Sequence, residues 1–328
     1  MTPTTDETAE GRGDDGDGLY GSVAGIVRKA GGGRRRKATQ GISANGRAMN
    51  ILITGGAGKL GTHLCRALTA GHEVTVFDRV AAEGYRSVLG DIRSQEALKQ
   101  ACAGMDAILH CAAVYDFAKF PPHEMAELNI MGTYAVLLAA EARGVPQVVF
   151  TSSDSTLGFW WKTVDVLPEY LPLDEQHPLR PQDVYGTSKL AGEEICRSFS
   201  RKDTVRTIVL RPAWIWFPEL APQYAGPLKT PGALARSLWS YVHVADLVHA
   251  FSLALAHPEI QHGTYFIAAK DTFARTDTRD LLAEHYPALP PETYASVTGT
   301  QSLLCCDAAR RDLGYEARFS WRDIVRDG

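Results

Sequence analysis

The stretch that most limits what this chain can become runs from Ile51 to Leu68. A short apolar β-type run, Ile51-Leu52-Ile53, leads into Thr54-Gly55-Gly56-Ala57-Gly58-Lys59-Leu60-Gly61 and then into the helical pattern His63-Leu64-Cys65-Arg66-Ala67-Leu68. Strand, glycine turn and helix in this order predict the opening unit of a doubly wound parallel sheet. Glycines let the backbone turn tightly, approach a pyrophosphate closely and pack the helix on the sheet, while the helix N-terminus offers N–H groups to the phosphate. Both G-x-G-x-x-G, from Gly56, and G-x-x-G-x-x-G, from Gly55, are satisfied. Glycine turns also arise for structural reasons alone, so the context decides. Glu73-Val74-Thr75-Val76-Phe77-Asp78 reads as a second strand ending in a carboxylate, placed about 20 residues past the glycines to bind a ribose 2′-hydroxyl. Asp78 repels a 2′-phosphate and favours NAD; Arg79 offers that phosphate a partner and leaves NADP open.

The remaining composition excludes several classes. The chain has 328 residues, 34 Lys and Arg against 38 Asp and Glu, and a net charge of −4, without the basic excess of a nucleic-acid binder. No apolar run approaches the roughly 20 residues of a membrane helix. Cys65, Cys102, Cys111, Cys196, Cys305 and Cys306 form no C-x-x-C pair and no zinc spacing, so a reduced, cytoplasmic protein without a bound metal is expected. Residues 1–48 run from acidic to basic without apolar periodicity and read as a disordered tail; Met49, directly before the first strand, is a candidate start of translation.

Together with the glycine turn, Gly90-Asp91-Ile92 and Leu109-His110-Cys111-Ala112-Ala113 resemble the cofactor motifs of extended short-chain dehydrogenases/reductases, the NAD-dependent epimerase/dehydratase family. The resemblance covers nearly all of 49–328. It implies that Gly55, Gly58, Lys59, Leu60, Gly61, Asp78, Arg79, Asp91, Ile92, Cys111, Ala112 and Ala113 surround the dinucleotide, with Asp91 and Ile92 at the adenine. From the residues alone, Asp91 reads equally well as a helix N-cap.

Tyr185-Gly186-Thr187-Ser188-Lys189 sets a phenol and an ammonium four residues apart, on one face of a helix. A nearby ammonium and an oxidised nicotinamide favour the phenolate, which suits proton exchange with a hydroxyl or carbonyl. Gln147 to Ser153 reads as a buried strand ending in hydroxyls, and the resemblance makes Ser153, Tyr185 and Lys189 a catalytic triad assisted by Asn129. For Asn129, a helix kink or a side-chain hydrogen bond is the alternative. Leu210-Arg211-Pro212, Tyr241 to Asp246 and Arg310 to Tyr315 match later landmarks of the family; His243 and Asp246 are expected to pair structurally.

Departures from the family narrow the chemistry. Asp154 is followed by Ser155 where dehydratases of the family carry Asp-Glu, and Trp214 stands where sugar-nucleotide epimerases carry asparagine. The segment from Ile215 to Tyr241 is also short for clasping a nucleotide. Asp154, Trp160 and Trp214 are the candidate substrate contacts, within an aromatic set that includes Trp161, Tyr170, Trp216 and Phe217; Lys162, Arg180 and Lys229 are candidate anchors for a substrate carboxylate. The expected architecture is a Rossmann-type domain over 49–213 and a small mixed α/β substrate domain over 214–328, with part of 241–269 returning to the first. The expected activity is NAD(P)-dependent hydride transfer on a small sugar-like or other small molecule, with a homodimer implied by the resemblance. A sugar-nucleotide epimerase with a closed NAD redox cycle and a catalytically silent dinucleotide sensor are the alternatives.

Overall fold

The strand expected at Ile51–Ile53 spans Asn50–Thr54 (β1) and its last four residues are buried. Its side chains alternate between two apolar cores: Ile51 and Ile53 face one, Leu52 the other, as the two-residue period of a strand requires. The helix that follows, Lys59–Leu68 (α1), buries Gly61, Leu64, Cys65 and Leu68, a single stripe laid on the sheet. The computed structural model describes residues 47–220 and 230–323. The expected tail, apart from its last two residues, and Lys229 lie outside them.

Strands Glu73–Asp78 (β2), Arg86–Leu89 (β3), Ala107–His110 (β4), Gln147–Thr151 (β5), Arg206–Pro212 (β6) and His262–Ile267 join β1 in a seven-stranded sheet. Two further strands, Trp214–Trp216 (β7) and Tyr241–His243 (β8), pair with each other, which makes His262–Ile267 β9. The large sheet has the order β3-β2-β1-β4-β5-β6-β9, and every pair in it is parallel. The order reverses at β1 and β4, which opens a crevice beyond their carboxyl ends, the position where doubly wound sheets take ligands.

Helices Gln95–Ala101 (α2), Gly132–Arg143 (α4) and Val184–Arg201 (α5) cover one face, packing Leu98, Val136, Ala140 and Phe199 on Leu52, Ile108 and Val148. A short helix, Pro122–Ala126 (α3), enters α4 through one π turn at Glu127–Met131. Helix Val244–Ala256 (α6) and α1 cover the other face through Leu247, Phe251 and Leu64. Helices Thr278–His285 (α7) and Asp307–Leu313 (α8) follow, and a third core packs Trp216, Trp239, Phe273 and Trp321 with Leu157, Phe159, Leu171 and Leu173 from the segment after β5.

Two sequence expectations change here. His243 and Asp246 have separate partners: His243 Nδ1 accepts from Ala245 N–H at 3.1 Å as the N-cap of α6, and Asp246 accepts from Arg318 and Phe319 N–H at 3.1 Å. Both therefore fasten the C-terminal segment, since the His243 ring also stacks on Phe319. Asp91 is not a helix cap; Ser94 caps α2 by accepting from Ala97 N–H.

Candidate active site

The turn after β1 needs glycine at two places for steric reasons. Gly55 has φ +72°, and a Cβ there would stand 2.7 Å from the Ala112 backbone; a Cβ on Gly61 would stand 2.3 Å from the Gly55 carbonyl oxygen. Strand end, turn and helix can come this close only without side chains. Gly58 caps α1 without a side-chain hydrogen bond, so the helix N-terminus is free to receive a phosphate. At the end of β2, Asp78 accepts Ala57 N–H at 3.1 Å and Arg79 N–H at 2.6 Å, bracing the turn with the same carboxylate expected to meet a ribose. Asp91 receives the Arg93 guanidinium, which holds its carboxyl down to about 2.

These groups border a cleft of about 840 Å³. Every residue anticipated for the dinucleotide lines it, from Gly55, Gly58, Lys59, Leu60 and Gly61 through Asp78, Arg79, Asp91 and Ile92 to Cys111, Ala112 and Ala113. The glycine-rich turn, the helix end without a side-chain cap and the carboxylate of Asp78 together fit an NAD molecule.

Ser153, Asp154, Tyr185 and Lys189 line the same cleft. Helix α5 is N-capped by Asp183, whose side chain accepts Gly186 N–H at 2.8 Å, and its 3.6-residue turn sets Tyr185 and Lys189 over the end of β5. Lys189 Nζ donates to the Thr151 carbonyl at 2.7 Å and lies 5.6 Å from the Tyr185 ring centre. Burial lowers this ammonium to about 8. The tyrosine runs against the expected trend: burial first, then the Asp154 carboxylate, push its phenol up, while the Ser153 hydrogen bond opposes them. In the protein alone the phenol is protonated. Asp154, also buried, is raised to about 7 although it accepts Trp160 Nε1–H and the Ser153 hydroxyl, each at 3.1 Å.

Asn129 stands outside the cleft lining. On the π turn its amide is engaged in both directions, Oδ1 accepting Val114 N–H at 2.9 Å and Nδ2 donating to the Val114 carbonyl at 2.8 Å and to Ser188 Oγ at 3.1 Å. It ties the loop after β4 to α5, which is the side-chain hydrogen-bond alternative.

Beyond Tyr185 the walls are aromatic. Trp160, Trp161, Trp214 and Phe217 line the cleft, whereas Tyr170 donates to Asp174 at 2.6 Å and Trp216 is wholly buried in the third core. Lys162 pairs with Asp165 at 2.9 Å and Arg180 with Glu169, and neither reaches the cleft. Tyr115, Ile215, Leu220 and Leu234 line it too and carried no sequence signal. Among the described residues no group of three or more His, Cys, Asp or Glu side chains is arranged to hold a metal ion, and no helix is long and apolar enough to cross a membrane.

Residues 51–268 match the NAD dependent epimerase/dehydratase family. A UDP-glucose 4-epimerase of Rhizobium leguminosarum bv. trifolii is 28% identical over 84% of this chain and 95% of its own. An L-arabinose 1-dehydrogenase (NAD(P)(+)) of Haloferax volcanii is 29% identical over 58% of this chain and 76% of its own. A short-chain dehydrogenase/reductase superfamily protein from Agrobacterium tumefaciens, solved with bound NAD, superposes with a TM-score of 0.63 at 27% identity, covering 83% of this chain and 93% of that one.

Proposed function

This chain belongs to the NAD dependent epimerase/dehydratase family, and from that premise we propose that it is a dehydrogenase or reductase that exchanges its nicotinamide cofactor at each turnover, with Tyr185, Lys189 and Ser153 at the reacting oxygen. The observation that carries this reading is one cleft in which the glycine turn and Asp78 meet Ser153, Tyr185 and Lys189. When bound there, NAD supplies the hydride acceptor, and NADH the donor. The Ser153 hydroxyl holds the substrate oxygen, and Tyr185 takes its proton or returns it. Lys189, fixed by the Thr151 carbonyl, brings positive charge to the phenol and has an ammonium to offer a cofactor ribose. The buried positive charge of an oxidised cofactor would oppose the burial that keeps Tyr185 protonated, so proton abstraction is coupled to cofactor binding. Asp154 without a neighbouring glutamate argues against dehydration.

NAD is favoured over NADP by the Asp78 carboxylate. A cytoplasmic site is supported by the six free thiols, and a homodimer by Met131 at the end of the π turn and Tyr134 in the first turn of α4, both exposed and three residues apart.

Tyr185→Phe tests the core of the reading. It is expected to lower kcat by about 10²–10⁴-fold while NAD affinity, followed by tryptophan fluorescence, stays within about twofold. Unchanged turnover would remove Tyr185 from the chemistry. NAD that survives purification in stoichiometric amount would instead support the epimerase cycle.

A further inference from the structure

Three cationic side chains line the cleft among the described residues. Lys59 and Arg79 belong to the dinucleotide end, at the first residue of α1 and directly after Asp78, and Lys189 lies beneath Tyr185, held by the Thr151 carbonyl and assigned to the cofactor ribose. Past Tyr185 the wall is formed by Tyr115, Trp160, Trp161, Trp214 and Leu234, and its carboxyl is Asp154. Among the described residues, no guanidinium or ammonium past Tyr185 meets a nucleoside diphosphate or a uronate that leaves water here, and Asp154, where ionised, repels it. A free sugar fares poorly for a different reason. Each of its hydroxyls needs a partner once desolvated, at about 1–3 kcal/mol for each one left unpaired. Trp160 Nε1–H is already committed to Asp154, and Ser155 Oγ lies 2.9 Å from Ser153 Oγ. Meanwhile Trp161 and Tyr115 stand edge-on to Tyr185, with ring centres 5.7 and 6.4 Å away, and remain 36% and 61% exposed. Exposed aromatic faces beside a reacting phenol suit the apolar body of a ligand.

We infer that the substrate is an uncharged, ring-bearing secondary alcohol, or the matching ketone, whose apolar body lies against Trp161, Tyr115 and Trp214. This rests on the oxidoreductase reading above. In the oxidative direction the carbinol C–H bond breaks with its electron pair passing to NAD as hydride, the hydroxyl proton passes to the Tyr185 oxygen and on to water, and C–O becomes C=O. The products are the ketone, NADH and one proton.

The test is steady-state kinetics of the full chain with NAD on three sets of alcohols: 1-indanol and 1-tetralol; L-arabinose; and UDP-glucose with D-glucuronate. The first set is expected to give at least a tenfold higher kcat/KM than either other set, with a KM that added salt does not change. Trp161→Ala should raise the KM for 1-indanol about tenfold and leave the KM for NAD unchanged, and Trp161→Phe should recover most of the loss. Preferential turnover of arabinose, UDP-glucose or glucuronate overturns the substrate class and leaves the oxidoreductase reading standing. Bound NAD with no turnover of any set, and no 1-indanol binding to the NAD-loaded chain by calorimetry, overturns both.

Discussion

Asp154 is largely buried in the cleft wall, so its acid form is favoured and its carboxyl rises to about 7. Between the ordinary aspartate value and about 7, the unfolded chain has released a proton that the folded chain still holds. Stability therefore falls as pH rises through that window and levels off above it. Asp154→Asn keeps an acceptor for Trp160 Nε1–H and the Ser153 hydroxyl and removes the ionisation. The variant should match the parent near pH 4 and be more stable by a few degrees in thermal unfolding at pH 8; equal midpoints at both pH values would show that the carboxyl ionises freely. At the other end of the cleft, Asp78→Ser removes the negative charge beside Arg79. It should shift the NADP to NAD ratio of kcat/KM upward about tenfold, as the cost of placing a 2′-phosphate against a carboxylate disappears.

Helix α5 organises more than the acid and the ammonium. Tyr185, Lys189 and Glu193 repeat every four residues, and the last two are buried. Glu193 receives Arg211 Nε–H at 2.8 Å and Nη2–H at 2.6 Å, and the Ser152 hydroxyl at 2.5 Å, which clamps the helix to the ends of β5 and β6. Breaking one partner of such a buried pair strands the other charge, at about 3–5 kcal/mol, whereas replacing both by apolar groups is far less costly. Arg211→Met alone should lose that much in urea unfolding, and Glu193→Leu with Arg211→Met together clearly less; additive losses would mean the two charges do not act as a pair. Part of this was legible from sequence. The four-residue spacing of Tyr185 and Lys189, the glycine turn and the strand ending at Ser153 each carry a local signal, because the period of a helix or the sterics of a turn is written in neighbouring residues. Tyr115 and Leu234 carry none. They reach the cleft from a loop after β4 and from the short 3-10 helix Pro231–Ser237, and only the folded chain brings them together. The π turn at Asn129 has no sequence period either, and the rise of the Tyr185 phenol comes from burial and from Asp154, which spacing along a helix cannot report.

Across the whole molecule, the cleft depends on the reversal of strand order at β1 and β4. The dinucleotide end draws on β1, α1 and β2 from one half of the sheet, and the proton-transfer end on β5 and α5 from the other. A cofactor lying in it touches both halves, and no such surface exists in the unfolded chain. Binding therefore couples to global stability, adding about 2.7 kcal/mol at a concentration one hundred times Kd. With roughly 2 °C gained per kcal/mol in a chain of this size, NAD should raise the midpoint of thermal unfolding by about 5 °C. Gly61→Ala separates this from nonspecific stabilisation by a nucleotide. Its Cβ would press on the Gly55 carbonyl and displace the turn that faces the phosphates, so the variant should lose most of the NAD-dependent increment whatever its own midpoint. A full increment in Gly61→Ala would place the nucleotide somewhere other than this turn.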